Sequence, residues 1–376
     1  LIRSFVFTGL LLTLFCVHAS PSAPQTDAAL WPANPTNQAW PVTQPLNPPE
    51  GLRPCCAFGY NLKAEALGVP VPFYQLGNVI DTQHLGEHHY NDSNLGAVTN
   101  LLGINSEKVG LIYTRRGGFI DLAHVRDTAD NTFYLFSQIL PQLGQRWRID
   151  LQPELALRRI QFTEFTAPAD PAERYALATY LAGKLAFQLA AWHEIAQWYG
   201  FQSVPGFSEG VSAFSPEDLY SNLLGAHLAI QTILTGHAQS VSEFNQAMTD
   251  LLPTALAQLD AVSVTETRVQ FDLLDGNWWD SHKRVPEKFL VLKRNYDTSD
   301  DRLPTPVPDE TLPPQRLGLP DNIDSYPLSA LAALQLWPGS DRGTLPPSKM
   351  YFTAADFAML ALQARSADAQ QILQKR

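Results

Sequence analysis

The stretch AAWHEIAQWYG, Ala190 to Gly200, closes a long apolar run and sets His193, Glu194 and Gln197 among bulky apolar neighbours. An imidazole ligates metal or moves protons near neutral pH, and an acid beside it serves as a general base. On a helix His193 and Gln197 share a face, while Glu194 is turned by about 100°. Shortly afterwards SAFSPEDLYSN brings Glu217, Asp218 and Asn222 into one short segment. Earlier, GGFIDLAHVRDTAD places Asp121, His124 and Asp127 at every third residue, with Arg126 between them. A carboxylate within reach of a His orients the ring as a base or metal ligand. Arg126 suits an anionic substrate group or a developing oxyanion.

Each group also has a structural explanation. His193 and Glu194 could hydrogen-bond and lock a helix end. Asp121 could cap a helix while Arg126 pairs with neighbouring acids. Ser215 followed by Asp218 is close to a capping box, and Glu217 suits the positive end of a helix. Capping needs one carboxylate, however, and this segment carries two. HLGEHHY, His84 to Tyr90, holds three of the nine His and reads as a metal-gathering cluster or a polar loop. Trp278 and Trp279 in DGNWWDSHKR read as core anchors before they read as a sugar-binding surface.

The pattern HExxQ resembles the HExxH helix of zinc metallopeptidases, in which two His bind the metal and the Glu activates water. Glu217, twenty residues after Gln197, falls where thermolysin-like enzymes carry a third, carboxylate ligand on a following helix. Gln197 departs from that pattern, because an amide oxygen is a weak zinc ligand. His124 is the residue best suited to supply what Gln197 does not. The expected ligands are therefore His124, His193 and Glu217, with Glu194 as base and Arg126 on the substrate. Asp121, Asp127, Gln197, Asp218 and Asn222 would support them, around one divalent ion, zinc before others.

The elements that would position these residues are readable in outline. Asp170, Pro171 and Gly200 bound a helix over Pro171 to Tyr199, apolar at 177, 181, 185, 189, 192 and 196. Apolar spacing predicts a helix over Phe119 to Leu143, another from Ser215 to about Thr235, and a third over roughly Val241 to Leu259. VGLIYTR from Val109 and RRIQFTEF from Arg158 predict strands. TETRVQFDLL alternates Val269, Phe271 and Leu273 as a half-buried strand, with KFLVLKR its expected partner. Residues 301 to 348 are Pro-rich and read as an extended surface belt. Thr353 caps a closing helix.

The first residues, LIRSFVFTGLLLTLFCVHAS, have the order of an export signal at 1–19, with cleavage after Ala19. Lipid attachment at Cys16 is the alternative. Residues 20–51 form a Pro- and Ser-rich tether and the folded region occupies 52–376. Among 376 residues the formal net charge is −11, and losing the signal removes Arg3 and no acid. That acidity disfavours nucleic acid or anionic lipid as partner. No run after the signal is long enough to span a bilayer. Cys55 and Cys56 are adjacent, so they read as a buried pair, a vicinal ring or a thiol site, without a redox C-x-x-C spacing. Phosphate-cradling, nucleophile-elbow and dinucleotide motifs are missing.

RPCCAFG, GLIYTRRGGFIDLAHVRDTAD, WHEIAQWYG, SAFSPEDLYSNLLG, WWDS and LKRNYD together resemble the bacterial domain of unknown function 4056 family, from about Leu52 onward. The resemblance implies one domain in a bacterial envelope protein, with Asp121, His124, Arg126, His193, Glu194, Glu217 and Asp218 in one design. It implies no reaction. The expected fold is helix-dominated α+β, a single large domain with a small antiparallel sheet. The expected function is an exported metal-dependent hydrolase acting on an envelope peptide or glycan. A non-catalytic envelope binding or assembly protein is the alternative.

Overall fold

The computed structural model describes residues 44–49, 53, 57–66, 69–91, 107–203, 208–340, 342–347 and 350–374. The export segment, most of the tether, Cys55 and Cys56 lie outside the described residues.

β1 (Leu62–Ala66) and β2 (Val69–Leu76) form one antiparallel hairpin, and β3 (Leu111–Thr114) and β4 (Gly118–Asp121) a second. Gly118, at φ +65°, makes the tight return in the second, where a side chain would be strained. The sequence places the start of the next helix at Phe119; the structure starts it three residues later. Phe119 to Asp121 pair with β3 because Phe119 is drawn into an aromatic nest with Phe58 and Phe271, ring centroids 4.9 and 4.5 Å away. The helix α1 (Leu122–Gln142) begins after Asp121, whose carboxylate caps it by accepting the Ala123 N–H.

β5 (Arg148–Glu154) and β6 (Ala156–Phe162) follow, then α2 (Pro171–Trp198). Asp170 caps α2 by accepting from the N–H groups of Ala172 and Glu173, as its sequence implies. Leu177, Leu181, Leu185, Trp192 and Ala196 are all buried, so α2 runs through the core. α3 (Asp218–Leu234) and α4 (Val241–Gln258) complete the helical layer. α1 packs against both α2 and α3. Gly225 of α3 permits this closeness, because a Cβ there would run into the Val125 carbonyl of α1. Phe133 of α1 and Phe244 of α4 stack at 4.1 Å.

The expected strand at TETRVQFDLL is a helix, α5 (Val264–Leu274), opened by a capping box between Ser263 and Glu266. Its buried residues are Thr267, Phe271 and Leu274, which share one helical face. Val269 and Leu273, which suggested alternation with Phe271, are 49% and 68% exposed. KFLVLKR gives a short 3-10 turn over Lys288–Leu290 instead of a partner strand. Trp278 and Trp279 are buried core anchors.

Short strands follow: β7 (Arg284–Val285) beside β1, β8 (Asp301–Arg302) with β9 (Leu317–Gly318), and β10 (Asn322–Ile323) with β11 (Tyr326–Pro327). After one helical turn, α6 (Leu328–Leu331), β12 (Ala332–Pro338) pairs along β6 from Ala332↔Phe162 to Pro338↔Ala156. The Pro-rich stretch is thus largely irregular between short strands, and it also supplies a central strand. The sheet order is β13-β12-β6-β5, with β13 (Phe352–Thr353) at one edge. Thr353 and Asp356 make a capping box ahead of α7 (Phe357–Gln374). The fold is helix-dominated α+β. Among the described residues no helix is long and apolar enough to cross a membrane.

Candidate metal centre

Two helix starts meet at the centre. Asp121 ends β4 and caps α1, its carboxylate committed to the Ala123 N–H at 2.8 Å and its own N–H to Ser221 Oγ at 2.9 Å. His124 lies three residues along α1. On the facing helix, Asp218 opens α3 and Asn222 follows one turn later. His124 Nε2 is 3.3 Å from Asp218 Oδ1. Asn222 Nδ2 lies 3.2 Å from His124 Nδ1 and also donates to the Asp218 carbonyl, while its oxygen accepts from Thr128 Oγ1. The ring is thereby fixed in plane. Ligand atoms of Asp121, His124 and Asp218 lie within 4.8 Å of one another, all three residues are buried, and the group could hold a metal ion.

Two further acids complete the cluster. Glu194, from the last turns of α2, accepts the Phe214 N–H at 2.7 Å on Oε2. Glu217 accepts from Ser215 Oγ at 3.1 Å. Glu194 Oε1, Glu217 Oε2 and both Asp218 oxygens lack a well-aligned donor. The Ser215 amide and the Glu194 carboxyl do approach Asp218 and pull its pKa down. Burial and the neighbouring Glu217 and Asp121 charges outweigh them and hold Asp218 well above the ordinary carboxylate range. Burial, then Asp218, pushes Glu194 up to about 8, and burial, then Asp121, raises Glu217. Fully ionised, such a cluster is unstable; it needs protons or a cation.

The sequence-predicted residues separate into three groups. Asp121, His124, Glu194, Glu217, Asp218 and Asn222 share the centre. His193 does not: its Nδ1 is 3.3 Å from Glu154 Oε2 at the end of β5, and Glu154 also pairs with Arg158 at 2.6 Å. Burial opposes charge on His193, but Glu154 overrides it and raises the imidazole to about 8. A protonated ring is no metal ligand. Gln197 donates to Glu209 at 3.2 Å. The expected trio of His124, His193 and Glu217 is therefore replaced as the converging set by Asp121, His124 and Asp218. The reason is angular: neighbours on a helix diverge, so Glu194 faces α3 while His193 faces the sheet.

Arg126 and Asp127 belong to a buried ionic network on another face of α1. Arg53 binds Glu107 at 2.7 Å, Asp127 at 2.7 Å and Asp130 at 2.9 Å. Arg126 donates to Glu107 and to the Leu85 carbonyl, and His88 Nε2 meets Asp130 at 2.9 Å. Arg126 is thus held away from any substrate. Of the three His in HLGEHHY, His88 joins this network by its ring and His89 by its backbone, its carbonyl accepting from Arg53 at 2.7 Å and its N–H donating to Glu107 at 3.0 Å, while His84 pairs with Asp81 at the surface. Sequence reasoning missed Arg53, Glu107 and Glu154, since nothing in their local sequence marks them as partners.

A cleft of about 760 Å³ lies beside the end of α2, lined by Lys184, Phe187, Ala191, Arg294, Tyr296 and Phe357 among others. Beside Glu217 a narrow crevice, bounded by Phe119, Tyr220 and Trp278, has no room for a water-sized sphere.

Fold and site define a helix-dominated α+β protein with a buried carboxylate–imidazole centre between two helix starts. The chain belongs to the family described as Protein of unknown function (DUF4056), whose model matches residues 43–308 and so contains every residue of that centre. No curated protein and no solved structure matches the chain.

Proposed function

We propose that this is an exported cell-envelope protein that binds one divalent ion, zinc, at Asp121, His124 and Asp218, and that it is a metal-dependent hydrolase. One observation carries the reading: three buried ligand atoms of the right kinds lie within 4.8 Å of one another. Three protein ligands leave a coordination position for water, the form of catalytic zinc sites. The ion would supply Lewis acidity and a water of lowered pKa. Its charge beside Asp218 would also bring Glu194 into its ionised form, able to take a proton at Oε1. Asn222 lies against His124 Nδ1 and Nε2 faces Asp218, so Nε2 is the nitrogen that would meet the ion. Export is supported by the apolar amino-terminal run, and an envelope peptide or glycan substrate follows from that compartment.

Elemental analysis of the purified protein tests the reading. One zinc per chain is expected, lost in Asp218→Asn and in His124→Ala. Metal-free wild type at micromolar zinc would dismiss it.

A non-catalytic reading, an envelope binding or assembly protein, draws on one observation: the large cleft is lined by none of the centre's acids. In that reading the ion only ties α1 to α3, and chelation lowers the melting temperature without affecting partner binding.

A further inference from the structure

The segment between α2 and α3 is wound into a shape that needs holding. Glu209–Val211 makes one 3-10 turn, and Phe214, fully buried, sits at φ +57°, a conformation that bulky residues rarely adopt. Its ring packs on Tyr296 at 5.0 Å. Its N–H is the donor to Glu194 Oε2, and its carbonyl accepts the Asn295 N–H at 2.8 Å. Next to Asn295, the Arg294 side chain donates to the carbonyls of Ala213, Gly210 and Val211, and to that of Lys288 at 2.6 Å. One guanidinium therefore gathers three carbonyls of a single turn. Asp368 lies 3.6 Å from it on the far side.

A buried cation is a costly way to satisfy neutral carbonyls alone. Burial opposes its charge, Asp368 and then Tyr296 favour it most, and Asp218 and Glu194 are also within its electrostatic reach. We infer that Arg294 is a positioning residue of the acidic centre: through the strained Gly210–Phe214 turn it aims the Phe214 amide at Glu194. One carboxylate oxygen is then fixed, and the other is left facing Asp218. The consequence for metal binding rests on the function proposed above; the geometry of the turn does not.

The test is zinc affinity by chelator competition in a double-mutant cycle. Arg294→Gln should weaken zinc about 10-fold, as losing an outer support of a metal site does. In a Glu194→Ala background the same change should cost less than about 3-fold, because its route to the ion is gone. Equal losses in both backgrounds would show a merely structural arginine and overturn the inference. If Arg294→Gln does not fold, Arg294→Lys carries the same cycle with a smaller loss. If wild type binds no zinc, the proposed function falls, and amide exchange decides the positioning. Phe214 should then exchange at least about 100-fold faster in the variant while the amides of α1 are unchanged. Unchanged exchange at Phe214 would overturn it.

Discussion

At the scale of single residues, function follows from which way each acid and imidazole faces. His193 and Glu194 are chain neighbours with opposite assignments: Glu154 holds one, and the acidic centre holds the other. His193→Ala should therefore leave zinc content unchanged while costing about 1–3 kcal/mol of stability, because buried Glu154 loses a partner. Elemental analysis with urea unfolding checks both. Glu194→Gln should keep zinc within about 10-fold and abolish any hydrolysis. The residue types of the centre were legible in the sequence, since Asp121, His124, Glu194, Glu217 and Asp218 stand out as polar groups on apolar helices. Their pairing was not legible, because it depends on helix rotation and on Glu154, a lone acid at a strand end.

At the scale of elements, the centre exists because α1 and α3 cross nearly in backbone contact. Gly225→Ala would drive a methyl into the Val125 carbonyl and force the helices apart. A loss of about 1–3 kcal/mol is expected, together with weaker zinc binding, since Asp121 and His124 ride on one helix and Asp218 on the other. Caps were the reliable part of the sequence: Asp121, Asp170 and Thr353 all act as read. Alternation failed at Val264–Leu274, where three apolar residues at period two also fit a helix with two of them outside. Capping also failed as the explanation of Glu217 and Asp218, because Glu217 occupies the cap position of α3 without a side-chain bond. The second carboxylate there was the signal that capping left unexplained.

At the scale of the whole molecule, two buried carboxyls, Glu107 and Glu194, respond to pH in opposite senses. Arg53 and Arg126 hold Glu107 at about 2, against burial and below its ordinary 4.5. Its folded form thus binds fewer protons than the unfolded chain, so its stabilisation is complete above about pH 4.5 and lost as pH falls through 2. Arg53→Ala should cost about 3–5 kcal/mol and move this acid limb to higher pH in denaturation curves. Glu194, raised to about 8 from 4.5, acts the other way. Its folded form binds more protons, so the metal-free protein should lose stability as pH rises from about 4.5 through 8. Zinc should raise the melting temperature more at pH 8 than at pH 5, which scanning calorimetry with and without chelator measures.

The claim beneath these expectations is that α1 and α3 bring Asp121, His124 and Asp218 around one cation. Crystals grown with zinc and measured at its absorption edge locate such an ion directly. The expected result is a single anomalous peak about 2.0–2.2 Å from a His124 nitrogen and from one oxygen each of Asp121 and Asp218. A peak on His193 instead, or none between the two helix starts, would contradict it.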